Sequence, residues 1–147
     1  MVDDEVTMVE ILDTAGQEEF KALRDQWIRG CEGFIVMYSI DSLSSFEEVN
    51  SFIENIETVM DKRSDSLNII IVGNKCDLQD EREVSVEAGE NLARSISALF
   101  KEASAKTRTN VEESVFDLIR KMRSNPLGTP GVVSKKGGEK KSLCSLL

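Results

Sequence analysis

Residues 68–73 read Asn-Ile-Ile-Ile-Val-Gly, and residues 34–40 read Phe-Ile-Val-Met-Tyr-Ser-Ile. Short runs with no polar face belong to strands covered on both sides, as in a parallel sheet packed between helices. Residues 6–12 form a third strand candidate that leads directly into a polar loop, and 98–103 a weaker fourth. Helical patterns separate them. Phe46, Val49, Ile53, Ile56 and Met60 keep a 3-and-4 spacing, with Ser44–Glu47 or Ser45–Glu48 as a capping box. Residues 86–97 carry a thinner stripe through Leu92 and Ile96. Asn110 followed by Glu113 predicts the cap of a last helix whose apolar face is Val111, Val115, Phe116, Ile119 and Met122. Strands alternating with helices of this length predict an α/β fold with right-handed crossovers.

The pattern ends at Arg123. Residues 124–147 hold both prolines, four glycines and Lys135, Lys136, Lys140 and Lys141. This predicts a folded domain over 1–123 and a flexible basic tail over 124–147. The tail carries four lysines against one glutamate, a balance of +3, in a chain whose net charge is −9, so the first 123 residues stand at −12. A body that acidic repels phosphate backbones and argues against nucleic-acid binding. With no histidine, Ser-His triads are excluded. Cys31, Cys76 and Cys144 lack metal-ligand spacing and read as reduced thiols of a cytosolic protein. No run approaches the ~18 to 20 apolar residues of a membrane span, and the acidic N-terminus lacks the layout of a secretory signal.

Ligands of such sheets sit beyond the carboxyl ends of the strands, and three motifs fall there. Asp13-Thr-Ala-Gly-Gln-Glu-Glu19 follows the first strand, Asn74-Lys-Cys-Asp77 follows 68–73, and Ser104-Ala-Lys106 follows 98–103. The last two are weak signals alone, but the seven-residue string is specific and the joint order more so. Together they closely resemble the switch II and base-binding motifs of Ras-family small GTPases, over essentially residues 6–147. The leucine before Asp13, the single cysteine near the end and the absence of an insert between Asp77 and Ser104 resemble Ras more than Rab or Rho.

The resemblance implies a Ras-like P-loop NTPase fold, a guanine nucleotide (GTP or GDP) and Mg²⁺. Guanine presents two neighbouring donors, N1–H and the 2-amine, which one carboxylate can accept. Asp77 takes that role, and adenine cannot satisfy it, which leaves a buried acceptor unpaired. Asn74 holds the base edge and its loop, and Lys75 lays its stem along the ring. Ala105 offers its N–H to the guanine carbonyl, while Ser104 braces the loop and Lys106 covers the base. At the phosphate end Asp13 holds Mg²⁺ through water, the N–H of Gly16, which has no side chain, approaches the γ-phosphate closely, and Thr14 and Ala15 are nucleotide-binding beside it. Gln17 orients the attacking water and is the catalytic residue.

Cys144-Ser-Leu-Leu147 matches a C-a-a-X prenylation signal, and its leucine favours geranylgeranyl over farnesyl. One lipid with a lysine tail makes an anchor for an anionic leaflet. This places the protein on the cytoplasmic face of the plasma membrane or an internal membrane, with exchange factors, GTPase activators and effectors as family partners.

The chain also departs from the family pattern. No Gly-x-x-x-x-Gly-Lys-Ser/Thr occurs in it, and the switch I threonine that completes the Mg²⁺ shell is absent. The first strand of the Ras-like sheet, its P-loop and its first helix are expected upstream of Met1. That strand lies between 6–12 and 34–40, so its two neighbours are expected to be unpaired edges and the chain only marginally stable. Beside a GTP-hydrolysing signalling switch, impaired in this chain alone, two readings stay open. One is a non-enzymatic prenylated fragment that competes for switch II partners; the other is an unstable fragment.

Overall fold

A computed structural model of the chain describes residues 1–13, 21–126 and 140–146. The chain order is β1 (Met8–Asp13), α1 (Lys21–Gly30), β2 (Gly33–Ser39), α2 (Leu43–Met60), β3 (Ile69–Asn74), α3 (Val86–Ser95), β4 (Leu99–Glu102), α4 (Val111–Ser124) and β5 (Lys140–Leu146). The five strands form one sheet in the order β1-β5-β2-β3-β4, and every pairing is parallel. The α/β architecture is therefore the expected one, a parallel sheet flanked by helices.

Two opposed cores follow from side-chain alternation across the pleat. Phe34, Val36 and Tyr38 of β2 and Ile69 and Ile71 of β3 meet Ile28 of α1, Val49, Ile53 and Ile56 of α2 and Ala93 of α3. On the other face, Ile35, Ile70 and Val72 pack with Leu118 and Met122 of α4. β3 is thus buried on both sides, as its isoleucine run requires.

The main difference from expectation lies at the C-terminus. Within the expected tail, Lys140–Leu146 forms a strand that lies between β1 and β2, in the position expected to be vacant. Its register sets Leu12 of β1 and Phe34 of β2 on either side of Cys144. Leu143 and Cys144 are fully buried on opposite faces, Leu143 toward α4 and Cys144 toward the α1–α2 side. The expectation of two unpaired edges therefore does not hold, because the facing edges of β1 and β2 both find hydrogen-bonding partners in β5. Gly33 makes room for it, since a Cβ there would stand 2.9 Å from Leu143 and 2.7 Å from Met122.

Two caps also differ from the sequence expectation. Ser42 caps α2, accepting from the Ser45 N–H at 3.3 Å, so the chain enters the helix earlier than either Ser-x-x-Glu box predicts. Asn110 sits at the start of α4 without a side-chain cap, and its amide instead donates to the Glu102 carbonyl at 2.8 Å. Ser85 caps α3 through the Ala88 N–H.

Candidate guanine-base site

All five strands run the same way, so their carboxyl ends share one edge of the sheet. Asp13 ends β1 and Asn74 ends β3, while Ser104 follows β4 by two residues. The sheet thus gathers Asp13, Asn74 and Ser104 on one side of the molecule.

The loop after β3 is shaped by its backbone. Lys75 has φ 62°, in the left-handed region, and turns the chain so that Leu78 N–H reaches the Lys75 carbonyl at 2.9 Å. Cys76 N–H then donates to the Ala103 carbonyl at 3.0 Å, tying this loop to the end of β4. Across that junction the buried Ser104 hydroxyl donates to Asp77 Oδ1 at 2.7 Å and accepts from the Thr107 N–H at 3.2 Å. Ser104 and Thr109 exchange both backbone hydrogen bonds at 3.0 Å, closing the 104–109 loop on itself. One hydroxyl therefore orients the Asp77 carboxylate and fixes the neighbouring loop. Ala105 and Lys106 stand exposed beside it, and Asn74 and Asp77 are half-buried.

Three supporting groups escaped the sequence reading. Lys75 Nζ pairs with Asp41 at 3.3 Å, and Asp41 in turn accepts from the Ser39 hydroxyl. That hydroxyl above all, with Lys75, holds the Asp41 carboxyl below the usual range. Arg82 reaches Glu102 with two nitrogens, at 2.6 and 2.8 Å, and also the Val84 carbonyl, which clamps the segment after Asp77 onto β4. Both partners are mostly buried, and the bidentate bond to Glu102 raises the Arg82 pKa. Asn110 braces β4 from the other side. Asp41 follows an apolar strand at the same sheet edge, which is a usable positional signal; the Arg82–Glu102 contact spans separate segments and has no local signature.

The phosphate end is only partly placed. Asp13 is exposed at the last position of β1, opposite Ser145 of β5. Thr14, Ala15, Gly16 and Gln17 lie outside the described residues. Among the described residues, no group of three or more His, Cys, Asp or Glu side chains could hold a metal by itself. Cys144 lies in the sheet core and not on a mobile end.

The family model for the Ras family matches residues 1–124 of the chain. The chain is 48% identical over 143 residues to the Ras-like protein rasW of Dictyostelium discoideum, covering 97% of this chain and 65% of that protein. It is 51% identical over 134 residues to a Ras-like protein of Laccaria bicolor, covering 87% and 63%. Against the Ras-like protein rasX of D. discoideum it is 51% identical over 120 residues, covering 82% and 55%. The chain therefore spans about two-thirds or less of the length of these relatives.

Proposed function

The chain belongs to the Ras family, whose members are GTPases, and from that premise we propose that its loops after β3 and β4 recognise guanine as part of a GTP-hydrolysing, membrane-attached signalling switch. The observation that carries the reading is the Ser104–Asp77 hydrogen bond. It fixes a carboxylate acceptor at the carboxyl edge of the sheet, where a base with two adjacent donors can meet it. Lys75 is held by Asp41 at the neck of the same loop, and Ala105 supplies an exposed backbone donor.

Asp13 would bind Mg²⁺ through water, and the ion would neutralise charge on the phosphates. Gln17 would position the attacking water. Exchange factors, activators and effectors would read the surface around these residues. Phosphate affinity in the family rests on a glycine-rich loop with lysine that is not in this sequence, so the 147 residues alone would select the base and hold the phosphates weakly. Membrane attachment would use Cys144 with the lysines before it, and requires β5 to leave the sheet, because the sulfur is fully buried there.

Inosine diphosphate, which differs from GDP only in lacking the 2-amine, tests the base reading. Competition observed by ligand NMR at millimolar nucleotide should show GDP bound ~10- to 100-fold more tightly, the equivalent of one hydrogen bond to a charged acceptor. Asp77→Ala should erase the difference. Equal affinities in the unmutated chain would sink the assignment.

A further inference from the structure

β5 does more than fill a gap, because its chemistry faces a second thiol. Cys31 sits in the turn between α1 and β2, 3% exposed, with its N–H on the Ile28 carbonyl. The next residue, Glu32, donates its N–H to the Ser142 carbonyl of β5 at 2.8 Å, and Cys31 Sγ lies 3.9 Å from Ser142 Oγ. Two residues further along β5, Cys144 turns to the same face and joins the same core cluster as Cys31. The two thiols thus lie within one buried cluster, on the face of β5 that carries Ser142.

We propose that Cys31 and Cys144 are a redox pair whose oxidation joins them in a disulfide, fastening the C-terminal strand between β1 and β2 and withholding the Cys144 sulfur from alkylation. The neighbouring Cys144 and Ser142 side chains hold the Cys31 thiol below its usual range, and Cys31 is the more exposed of the two cysteines, so Cys31 is the sulfur that attacks first. With a peroxide as oxidant, the Cys31 thiolate attacks one peroxide oxygen and the O–O bond breaks. This leaves a sulfenic acid and hydroxide, which takes a proton to become water. The Cys144 sulfur then attacks the Cys31 sulfur, losing its proton, and the sulfenic oxygen departs as a second water. Two thiols and one hydrogen peroxide thus give one disulfide and two waters. The ring so closed holds about 110 residues, and a loop of that length restricts the unfolded chain strongly. The consequence for lipid attachment depends on the reading of Cys144 given above, whereas the disulfide itself does not.

The test is to treat the reduced 147-residue protein with a small excess of hydrogen peroxide, block free thiols, and map peptides without reductant. The expected product is a monomer with Cys31 linked to Cys144, reversed by dithiothreitol and melting about 5 °C or more above the reduced form. Iodoacetamide, which alkylates Cys144 slowly in the reduced protein when β5 opens, should no longer reach it after oxidation. Cys31→Ala should abolish the link and Cys76→Ala should leave it intact. Should Cys31→Ala fail to fold, the map of the unmutated chain and of Cys76→Ala decides alone. Links through Cys76, intermolecular dimers, or sulfinic acid at Cys31 with Cys144 still free would overturn the pairing.

Discussion

Leu143→Ala separates a C-terminal strand from a C-terminal tail. Leu143 is fully buried and packs with Ile35, Ile70, Leu118 and Met122. The substitution removes three carbons, worth ~2.4 kcal/mol at ~0.8 kcal/mol per buried methylene. Part of the space stays empty because β2 and α4 are fixed by other contacts, which raises the cost to about 3 to 4 kcal/mol. That is a large share of the ~5 to 15 kcal/mol by which a domain is stable. Urea unfolding at 25 °C, followed by circular dichroism, should show a much lower midpoint for Leu143→Ala than for the unmutated chain. Met8→Ala supplies the reference: Met8 is 64% exposed on the edge strand β1, and its loss should stay within about 0.5 kcal/mol. A reduced urea slope alongside the lower midpoint would mean that β5 detaches before the rest unfolds, in which case the loss measures its docking. If Leu143→Ala costs no more than Met8→Ala, β5 does not occupy the sheet and the description of the fold fails.

Other predictions follow from single contacts. Tyr38 is the only tyrosine of the chain and is 2% exposed, and burial pushes its phenol up to about 12. An ultraviolet titration should therefore show no phenolate near pH 10. A phenol pKa raised on folding gives stability that is complete below about pH 10 and lost as pH rises toward 12. Ser104→Ala leaves Asp77 and the Thr107 N–H without their shared partner, so thermal melts should report a loss of about 1 to 3 kcal/mol. Gly89→Ala would place a Cβ 2.5 Å from the Phe100 ring and the Tyr38 hydroxyl, forcing α3 off β4 at about 1 to 3 kcal/mol. Asp3, Asp41, Glu57 and Asp117 all have carboxyl pKa values held below the usual range by hydrogen bonds, chiefly from Arg120, Ser39, Ser64 and Lys101 respectively. Their contribution is present above the unfolded carboxylate values near pH 4 and disappears as pH falls through the lower folded ones. Stability should thus hold from pH 7 to about 5 and decline below about 4; a decline beginning near pH 6 would need another group.

What the sequence made legible was what it encodes locally. The isoleucine run at 69–71, the 3-and-4 stripe of α2 and the three strand-end motifs each carry their own pattern, and the structure joins the base motifs through Ser104 and Asp77. β5 was not legible because Lys-Lys-Ser-Leu-Cys-Ser-Leu, after a glycine pair, has little strand character of its own. Its conformation is set by the facing edges of β1 and β2, which are more than a hundred residues away in sequence. Arg82 on Glu102 was missed because the contact joins separate segments with no local signature, whereas Asp41, at the end of an apolar strand, carried a positional signal that the motifs did not use. Asn110 illustrates the converse: a residue type suited to accept from a helix N–H instead donates its amide to the Glu102 carbonyl.

The most direct test of guanine recognition by this chain is a titration of the purified 147 residues with fluorescent GDP in Mg²⁺, competed by unlabelled GDP and ADP. Weak binding that GDP displaces and ADP does not is the predicted result, because on the proposed reading Asp77 would select the base while the glycine-rich phosphate loop is not in the sequence. Tight binding, or displacement by ADP as readily as by GDP, would contradict the account.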